Sequence, residues 1–182
     1  DSTNLCAMWT FVLTAIIDSI YPTILRYHKQ DYQSYERKNR QLYAIVFYIS
    51  VFVALLFQFF GGYVVEILYG KAYLPAVAPL RIVTWYVAFS YLGVARNAWI
   101  VCENNQKYLK YMYLGAAVIN VLLNLLFIPK YSTEGAAMAS LITQVCTSLI
   151  LPFFIPDMRP NCILMVEGIL LKNTFGRGGK KQ

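Results

Sequence analysis

The sequence predicts an all-α fold, a bundle of five membrane-spanning helices, from three observations. Hydrophobic residues make up 58% of the chain and charged residues 14%, whereas soluble domains have about 45–50% and about 25%. The hydrophobic residues fall into blocks of about twenty, the helix length that crosses about 30 Å of hydrocarbon. These blocks also lack the polar face that recurs about every 3.6 residues in a surface helix of a soluble protein.

Each predicted span is bounded by features typical of a membrane surface. A charged loop separates the first two spans, and tyrosines such as Tyr63 and Tyr108 lie near outer and inner span ends. Pro129 ends the fourth span because proline cannot continue the helical hydrogen bonds. A short turn at residues 130–134 leads into the fifth span. The predicted spans cover about residues 5–27, 42–65, 80–102, 109–128 and 135–155.

Basic residues in the loops predict which side of the bundle faces the cytoplasm. Of the 16 lysines and arginines, twelve lie in the loops after the first and third spans and in the C-terminal tail, and three lie on the opposite side. Because basic loops stay cytoplasmic, we expect a multi-pass protein of the cell (cytoplasmic) membrane with a cytoplasmic C-terminus. Anionic membrane lipids account for the net charge of +7, so no nucleic-acid partner is needed.

The two ends of the chain differ in character from the spans. The chain starts Asp-Ser-Thr, without a basic segment or a cleavage site, so no signal peptide is predicted. Five spans that start outside and end inside suggest the C-terminal part of a longer protein. After a five-span bundle of residues 1–156, the stretch CILMVEGILL is too short to cross a membrane and contains Glu167. We expect an interfacial helix there and then a basic end, within a cytoplasmic tail of residues 157–182.

Residues that carry metal or nucleophilic chemistry are sparse. The four cysteines lack a Cys-x-x-Cys spacing, and the chain has one histidine, His28, in a charged loop. A metal site, a bound cofactor and a Ser-His-Asp triad are therefore not expected. The sequence argues against an enzyme.

Polar and small residues recur every four positions in the fourth and fifth spans. Asn120 and Asn124 are one helical turn apart and share a face, so we expect them to face another helix or a wet cavity. Hydrogen bonding between helices and the lining of a substrate path both remain open for this pair. The small residues of the fifth span predict close helix packing. They are Gly135, Ala139, Thr143 and Thr147.

Two ionisable residues lie well inside predicted spans, where a charge is costly unless it is paired or hydrated. Asp18 and Arg96 both fall in the cytoplasmic half of the membrane, at similar depth. Arg96 either extends to the inner head groups or provides a cationic group for a diphosphate. Asp18 either pairs with Arg96 or takes part in ion coupling or substrate contact.

Three stretches of the chain occur in a recognisable order: YGKAYLPAVAPLRIV at residues 69–83, NVLLNLLFIPKY at residues 120–131 and EGAAMAS at residues 134–140. In this order they resemble the C-terminal part of bacterial polysaccharide and lipid-linked oligosaccharide flippases, which belong to the multidrug/oligosaccharidyl-lipid/polysaccharide exporter superfamily. Ser132 departs from the pattern, since the family often has glycine at this place.

The resemblance implies a transporter of about twelve or more spans in two similar halves, of which this chain supplies the last five. It implies that the protein moves undecaprenyl-diphosphate-linked oligosaccharide across the membrane by alternating access, with the N-terminal half of the same protein as its partner. Charged cavity residues vary in the family, so only Asp18 and Arg96 are marked as candidates for the path.

Two other functions compete with this one. A cation-coupled multidrug exporter of the same superfamily would bind H⁺ or Na⁺ through an acidic residue, and Asp18 is the one carboxylate within a predicted span. A membrane glycosyltransferase or polymerase would need an acidic or histidine cluster in an outer loop, and residues 66–79 contain one glutamate and no histidine or aspartate. The 182 residues alone are expected to be inactive, because a cavity between two halves needs both.

Overall fold

The computed structural model describes residues 2–172 and residue 174, and no strand occurs among them. The predicted all-α class is confirmed. The helices are α1 (Ser2–Gln30), α2 (Tyr32–Tyr69), α3 (Val77–Ala95), α4 (Asn97–Cys102), α5 (Leu109–Val145), α6 (Leu151–Phe154) and α7 (Arg159–Ile169). Short 3₁₀ turns cover Lys71–Ala76, Gln106–Tyr108 and Pro156–Met158, and a π-helical turn covers Cys146–Ile150.

Four helical segments in the described part of the chain are long and apolar enough to cross a membrane, whereas the sequence predicts five spans. They are Ala7–Gln30, Tyr32–Tyr69, Lys71–Cys102 and Gln106–Phe154. Large apolar side chains lie exposed on the outer faces of these segments, for example Phe59 at 71% and Leu125 at 69%. Apolar surface of this extent is unfavourable in water and favourable in lipid. The length and the apolar surface of these helices indicate a membrane protein.

The segment between the first two predicted spans is not the loop that its charges suggest. α2 begins at Tyr32, ten residues before the predicted span, and only Asp31 interrupts the helix. The Asp31 carboxylate caps α2, since it accepts hydrogen bonds from the Gln33 backbone N–H at 3.1 Å and from the Ser34 hydroxyl at 2.6 Å. The Ser34 hydrogen bond also lowers the pKa of Asp31. A capped helix start therefore replaces the expected loop.

The segment from Gln106 to Phe154 is 49 residues long, but it is not straight. Ser132 has φ 53° and ψ −127°, which no helix can contain. The Asn120 Nδ2 atom donates a hydrogen bond of 3.3 Å to Thr143 Oγ1, 23 residues away, whereas a straight helix would separate them by about 34 Å. The chain therefore folds back on itself at Ser132. We call residues 109–131 and 133–145 the two limbs of the α5 hairpin.

Two details of this turn differ from the sequence prediction. Pro129 lies inside the first limb and does not end it; the helical conformation continues to the residue before Ser132. A positive φ at Ser132 is uncommon for a residue with a Cβ atom and costs glycine nothing. Glycine would suit the observed backbone better than serine does.

The C-terminal helix α7 packs on the bundle. Arg40 Nη1 on α2 lies 3.0 Å from Glu167 Oε2, and the Tyr48 hydroxyl donates to the Ile169 carbonyl at 2.6 Å. Gly168 faces α2 so closely that a Cβ atom there would lie 2.6 Å from the Arg40 carbonyl oxygen. The expected interfacial helix is thus a helix docked against α2. The predicted basic end, residues 175–182, lies outside the described residues.

Candidate functional site

Two cavities lie between α3 and the α5 hairpin. One, of about 200 Å³, is lined by Arg96 and Tyr113 among others, and the second, of about 300 Å³, by Tyr86 and Asn120 among others. Gln144 lines both cavities, so they are neighbours along the second limb of the hairpin. Together they form a polar cleft between helices, which we treat as the candidate site.

Arg96 is the charged residue of this cleft, and it is 2% exposed. It follows the last residue of α3, and its backbone continues the helical hydrogen bonds from Leu92 to Ile100. One guanidinium nitrogen, Nη2, donates to the Ser148 carbonyl and lies 4.0 Å from the Met165 sulfur. Among the described residues, Nε has no hydrogen-bond partner. Arg96 therefore holds a buried positive charge with spare hydrogen-bonding capacity.

The Ser148 carbonyl that accepts this bond lies inside the π-helical turn Cys146–Ile150. In this turn the Leu151 N–H bonds to the Cys146 carbonyl, five residues back, so the backbone hydrogen bonds are shifted from those of an α-helix. The Ser148 side chain strengthens the same junction, since its hydroxyl donates to the Phe89 carbonyl at 2.9 Å. α3 and the end of the last apolar segment are thus joined by two hydrogen bonds at one residue.

Asp18, the other ionisable candidate, does not meet Arg96. Its side chain is exposed on α1, and the ion pairs within the described residues are His28–Glu103, Arg40–Glu167 and Lys71–Glu66. The expected Asp18–Arg96 pair is therefore not formed. The Arg96 side chain is buried between helices and does not extend along the outer surface of the bundle.

Asn120 and Asn124 bind each other and the opposite limb of the hairpin. Asn124 Nδ2 donates to Asn120 Oδ1 at 2.9 Å, and Asn120 Nδ2 donates to Thr143 Oγ1 at 3.3 Å. Asn120 also lines the larger cavity with Thr143, whereas Asn124 lines neither cavity. Hydrogen bonding between helices and contact with the cleft are therefore both present at Asn120.

The small residues of the second limb lie at the contact with the first. Gly135, Ala139 and Thr143 are buried, and a Cβ atom at Gly135 would lie 2.4 Å from the Phe127 carbonyl oxygen. Thr147, the fourth of the series, lines the Arg96 cavity and donates to the Thr143 carbonyl at 2.8 Å. The series thus runs from the hairpin turn into the cleft.

Sequence reasoning missed two residues of the site. Gln144 lines both cavities and donates to the Ser148 hydroxyl at 3.3 Å, and Ser148 accepts the hydrogen bond of Arg96 through its backbone carbonyl. The sequence does not show that Arg96, 52 residues away, donates to this carbonyl.

The chemistry of the cleft suits an anion with several oxygen atoms. A guanidinium presents its N–H groups in a planar fork that matches a carboxylate or a phosphate, and hydroxyl and amide groups of Thr147, Ser148 and Gln144 lie around it. The part of the chain described by the structure contains no group of three or more His, Cys, Asp or Glu residues that could hold a metal ion. Comparison with protein-family models, with curated proteins and with solved structures finds no match.

Proposed function

We propose that the chain is the C-terminal part of a flippase that moves undecaprenyl-diphosphate-linked oligosaccharide units across the cytoplasmic membrane for polysaccharide biosynthesis. The observation that carries the proposal is the buried Arg96, which faces a polar cavity between apolar helices and has no carboxylate partner among the described residues. A buried charge without a counter-charge costs several kcal/mol, on the order of the effective penalty for one ion. A diphosphate group that enters the cavity offsets this cost.

The proposal includes a topology. The α5 hairpin supplies the fourth and fifth crossings, with Ser132 at the outer surface, and α1, α2 and the α3–α4 segment supply the first three. The twelve basic residues of the inner loops and tail, against three outside, support a cytoplasmic α7. In this arrangement the N-terminal half of the same protein covers the exposed face of the cleft and completes the cavity.

Asp18 supports the second candidate function, a cation-coupled multidrug exporter. Its carboxylate is exposed in the middle of α1, in a segment apolar enough to cross the membrane. A carboxylate in that position needs water, a cation or a polar partner, and H⁺ or Na⁺ binding would meet this need. The exporter predicts that Asp18→Asn abolishes drug efflux while surface polysaccharide is unchanged.

The test of the flippase uses the gene that encodes the chain, deleted in its host and restored as wild type, Arg96→Ala or Arg81→Ala. Arg81 is the control, because it is an arginine on α3, the helix that Arg96 directly follows, and it lines neither cavity. Undecaprenyl-diphosphate-linked oligosaccharide is measured on each leaflet, together with surface polysaccharide. We expect the lipid-linked oligosaccharide to accumulate on the inner leaflet after deletion and to be cleared by wild type and Arg81→Ala only.

Two results would contradict parts of this expectation. Full rescue by Arg96→Ala would keep the flippase and remove Arg96 from the substrate path. Absence of accumulation after deletion, in a host without a second flippase, would refute the flippase and favour the exporter.

A further inference from the structure

We propose that the chain binds an anionic phospholipid of the surrounding bilayer in a groove between α2 and the end of α7. One acyl chain of the lipid occupies the groove, and Lys38 and Lys172 contact the head group. The groove has a volume of about 440 Å³. It is lined by Ala44, Ile45, Tyr48, Ile49 and Leu171. This surface lies outside the polar cleft, so the inference does not depend on the proposed transport.

The groove is apolar and open on one side. The Tyr48 hydroxyl donates to the Ile169 carbonyl at 2.6 Å, so its hydrogen-bonding need is met and the ring is left to line the groove. Tyr48 and Leu171 are 45% and 47% exposed. Because α2 is long and apolar enough to cross a membrane, acyl chains rather than water reach this surface. The volume lies in the range of about 300–1,000 Å³ that is typical of small-molecule sites.

Leu171 closes the groove from the α7 side, and its backbone has a conformation that favours glycine. Its φ is 57°. The Leu171 N–H donates to the Gly168 carbonyl at 3.1 Å, and the Lys172 N–H donates to the Glu167 carbonyl at 2.8 Å. These two bonds form a Schellman motif, in which glycine is the usual residue at the position of Leu171. Leucine is strained there, and its side chain provides a groove wall that glycine lacks.

Two lysines lie at the end of the groove that is nearer the start of α2. Lys172 directly follows Leu171 and is exposed. Lys38 precedes Ile45 by seven residues, which is about two helical turns, so the two residues share a face of α2 about 10 Å apart along the axis. Neither lysine takes part in an ion pair within the described residues. Basic side chains beside an apolar groove attract the anionic head groups of lipids.

The chain after α7 runs along α2 toward Lys38. Leu171 lies at the groove, and three residues later the Thr174 carbonyl accepts a hydrogen bond of 2.9 Å from Gln41 Nε2. Gln41 lies on α2 between Lys38 and the groove residues. Lys172 is held between these two contacts. Both lysines are therefore at the same end of the groove, as a single head group requires.

The test measures the affinity of single lipid molecules for the purified full chain by native mass spectrometry. The probes are phosphatidylglycerol, which is anionic, and phosphatidylcholine, which has no net charge. Lys38→Ala and Lys172→Ala are each expected to lower the affinity for phosphatidylglycerol about fivefold, and wild type to prefer this lipid over phosphatidylcholine about 25-fold. The affinity for phosphatidylcholine is expected to stay unchanged in both variants. Lys110→Ala is the control, because Lys110 is an exposed lysine that does not line the groove.

Leu171→Gly separates lipid binding from folding. Glycine relieves the strained φ, so this variant is expected to melt no lower than wild type in detergent without added lipid. It also removes the groove wall, so its affinity for both lipids is expected to fall about fivefold. Leu170→Ala is the control, because Leu170 is an exposed leucine beside Leu171 that does not line the groove. If Leu171→Gly melts lower than wild type, Ile49→Trp replaces it, since tryptophan fills the groove and leaves Leu171 in place.

Unchanged lipid affinity in Leu171→Gly or in Ile49→Trp refutes the groove as a lipid site. Equal affinities of wild type for the two phospholipids refute the contact between the lysines and the head group. Undecaprenyl phosphate is titrated in competition, and stronger binding of this lipid than of phosphatidylglycerol refutes a bilayer phospholipid as the occupant. None of these results changes the expected accumulation of lipid-linked oligosaccharide after gene deletion, so the flippase and the groove fail separately.

Discussion

Replacing Gly135 with alanine tests whether the α5 hairpin depends on close contact between its limbs. The new Cβ atom would lie 2.4 Å from the Phe127 carbonyl oxygen and 2.7 Å from the carbonyl carbon. Because Cβ contacts below 3.0 Å are essentially never found, the limbs must separate by at least about 0.6 Å. Both atoms that are met belong to the backbone, so a side-chain rotation cannot relieve the contact.

The cost of this separation is on the order of overpacking a core, about 1–3 kcal/mol. Alanine also stabilises a helix relative to glycine by about 0.5–1 kcal/mol, which offsets part of the loss. Gly62→Ala is the matched control, because a Cβ atom at Gly62 has no neighbour within 4 Å. Since both substitutions have the same propensity gain, their free energies of unfolding are expected to differ by about 1–3 kcal/mol, with Gly135→Ala the less stable.

The measurement is the free energy of unfolding of the purified chain, from detergent titration in mixed micelles followed by circular dichroism. Equal stability of the two variants would mean that the limbs do not touch at Gly135. A Gly135→Ala protein that is more stable than wild type would refute the hairpin contact itself.

Three further predictions follow from contacts elsewhere in the bundle. Gly168→Ala is expected to loosen α7 from α2, because its Cβ atom would lie 2.6 Å from the Arg40 carbonyl oxygen; limited proteolysis after α6 should become faster, and an unchanged rate would contradict the docking. Asn120→Ala is expected to cost about 0.6 kcal/mol of unfolding free energy through its bond to Thr143. The loss should be smaller when Thr143→Ala is already present, because only the bond from Asn124 then remains to be lost; fully additive losses would contradict the bond to Thr143. Lowering the pH should fray the start of α2, because the Asp31 carboxylate that caps it has a lowered pKa in the folded chain, so the cap is fully present above the unfolded pKa and is lost as the pH falls through the folded pKa. At neutral pH, amide exchange at Gln33 is expected to be slower in wild type than in Asp31→Ala, and at low pH the two rates are expected to be the same. Equal rates at both pH values would contradict the cap.

The hydrophobic pattern predicts which parts of this chain are apolar helices, because helix length and bilayer thickness constrain each other. It does not predict where helices break. Pro129 is a reasonable helix end from local chemistry, yet the helical backbone is interrupted at Ser132. In the same way, charged residues between the first two spans indicate a loop, and the Asp31 cap makes α2 helical from Tyr32.

The candidate site was predictable in its residues and not in its geometry. A charge within an apolar block singles out Arg96 and Asp18 from composition alone. Only the packing distinguishes them, since one is enclosed between α3 and the hairpin and the other is exposed on α1. The partner of Arg96 is a backbone carbonyl, which every residue has, so no side-chain pattern could have identified it.

The continuity of α2 has a mechanical consequence. Its 38 residues form a rod about 57 Å long, nearly twice the hydrocarbon thickness of about 30 Å. A tilt of about 10° about one end of such a rod displaces the other end by about 10 Å. Arg40, which contacts α7 through Glu167, lies near the start of this rod, and Gly70 follows its other end. A rotation too small to disturb the packing of α2 would therefore be amplified into a displacement of about 10 Å at the far end.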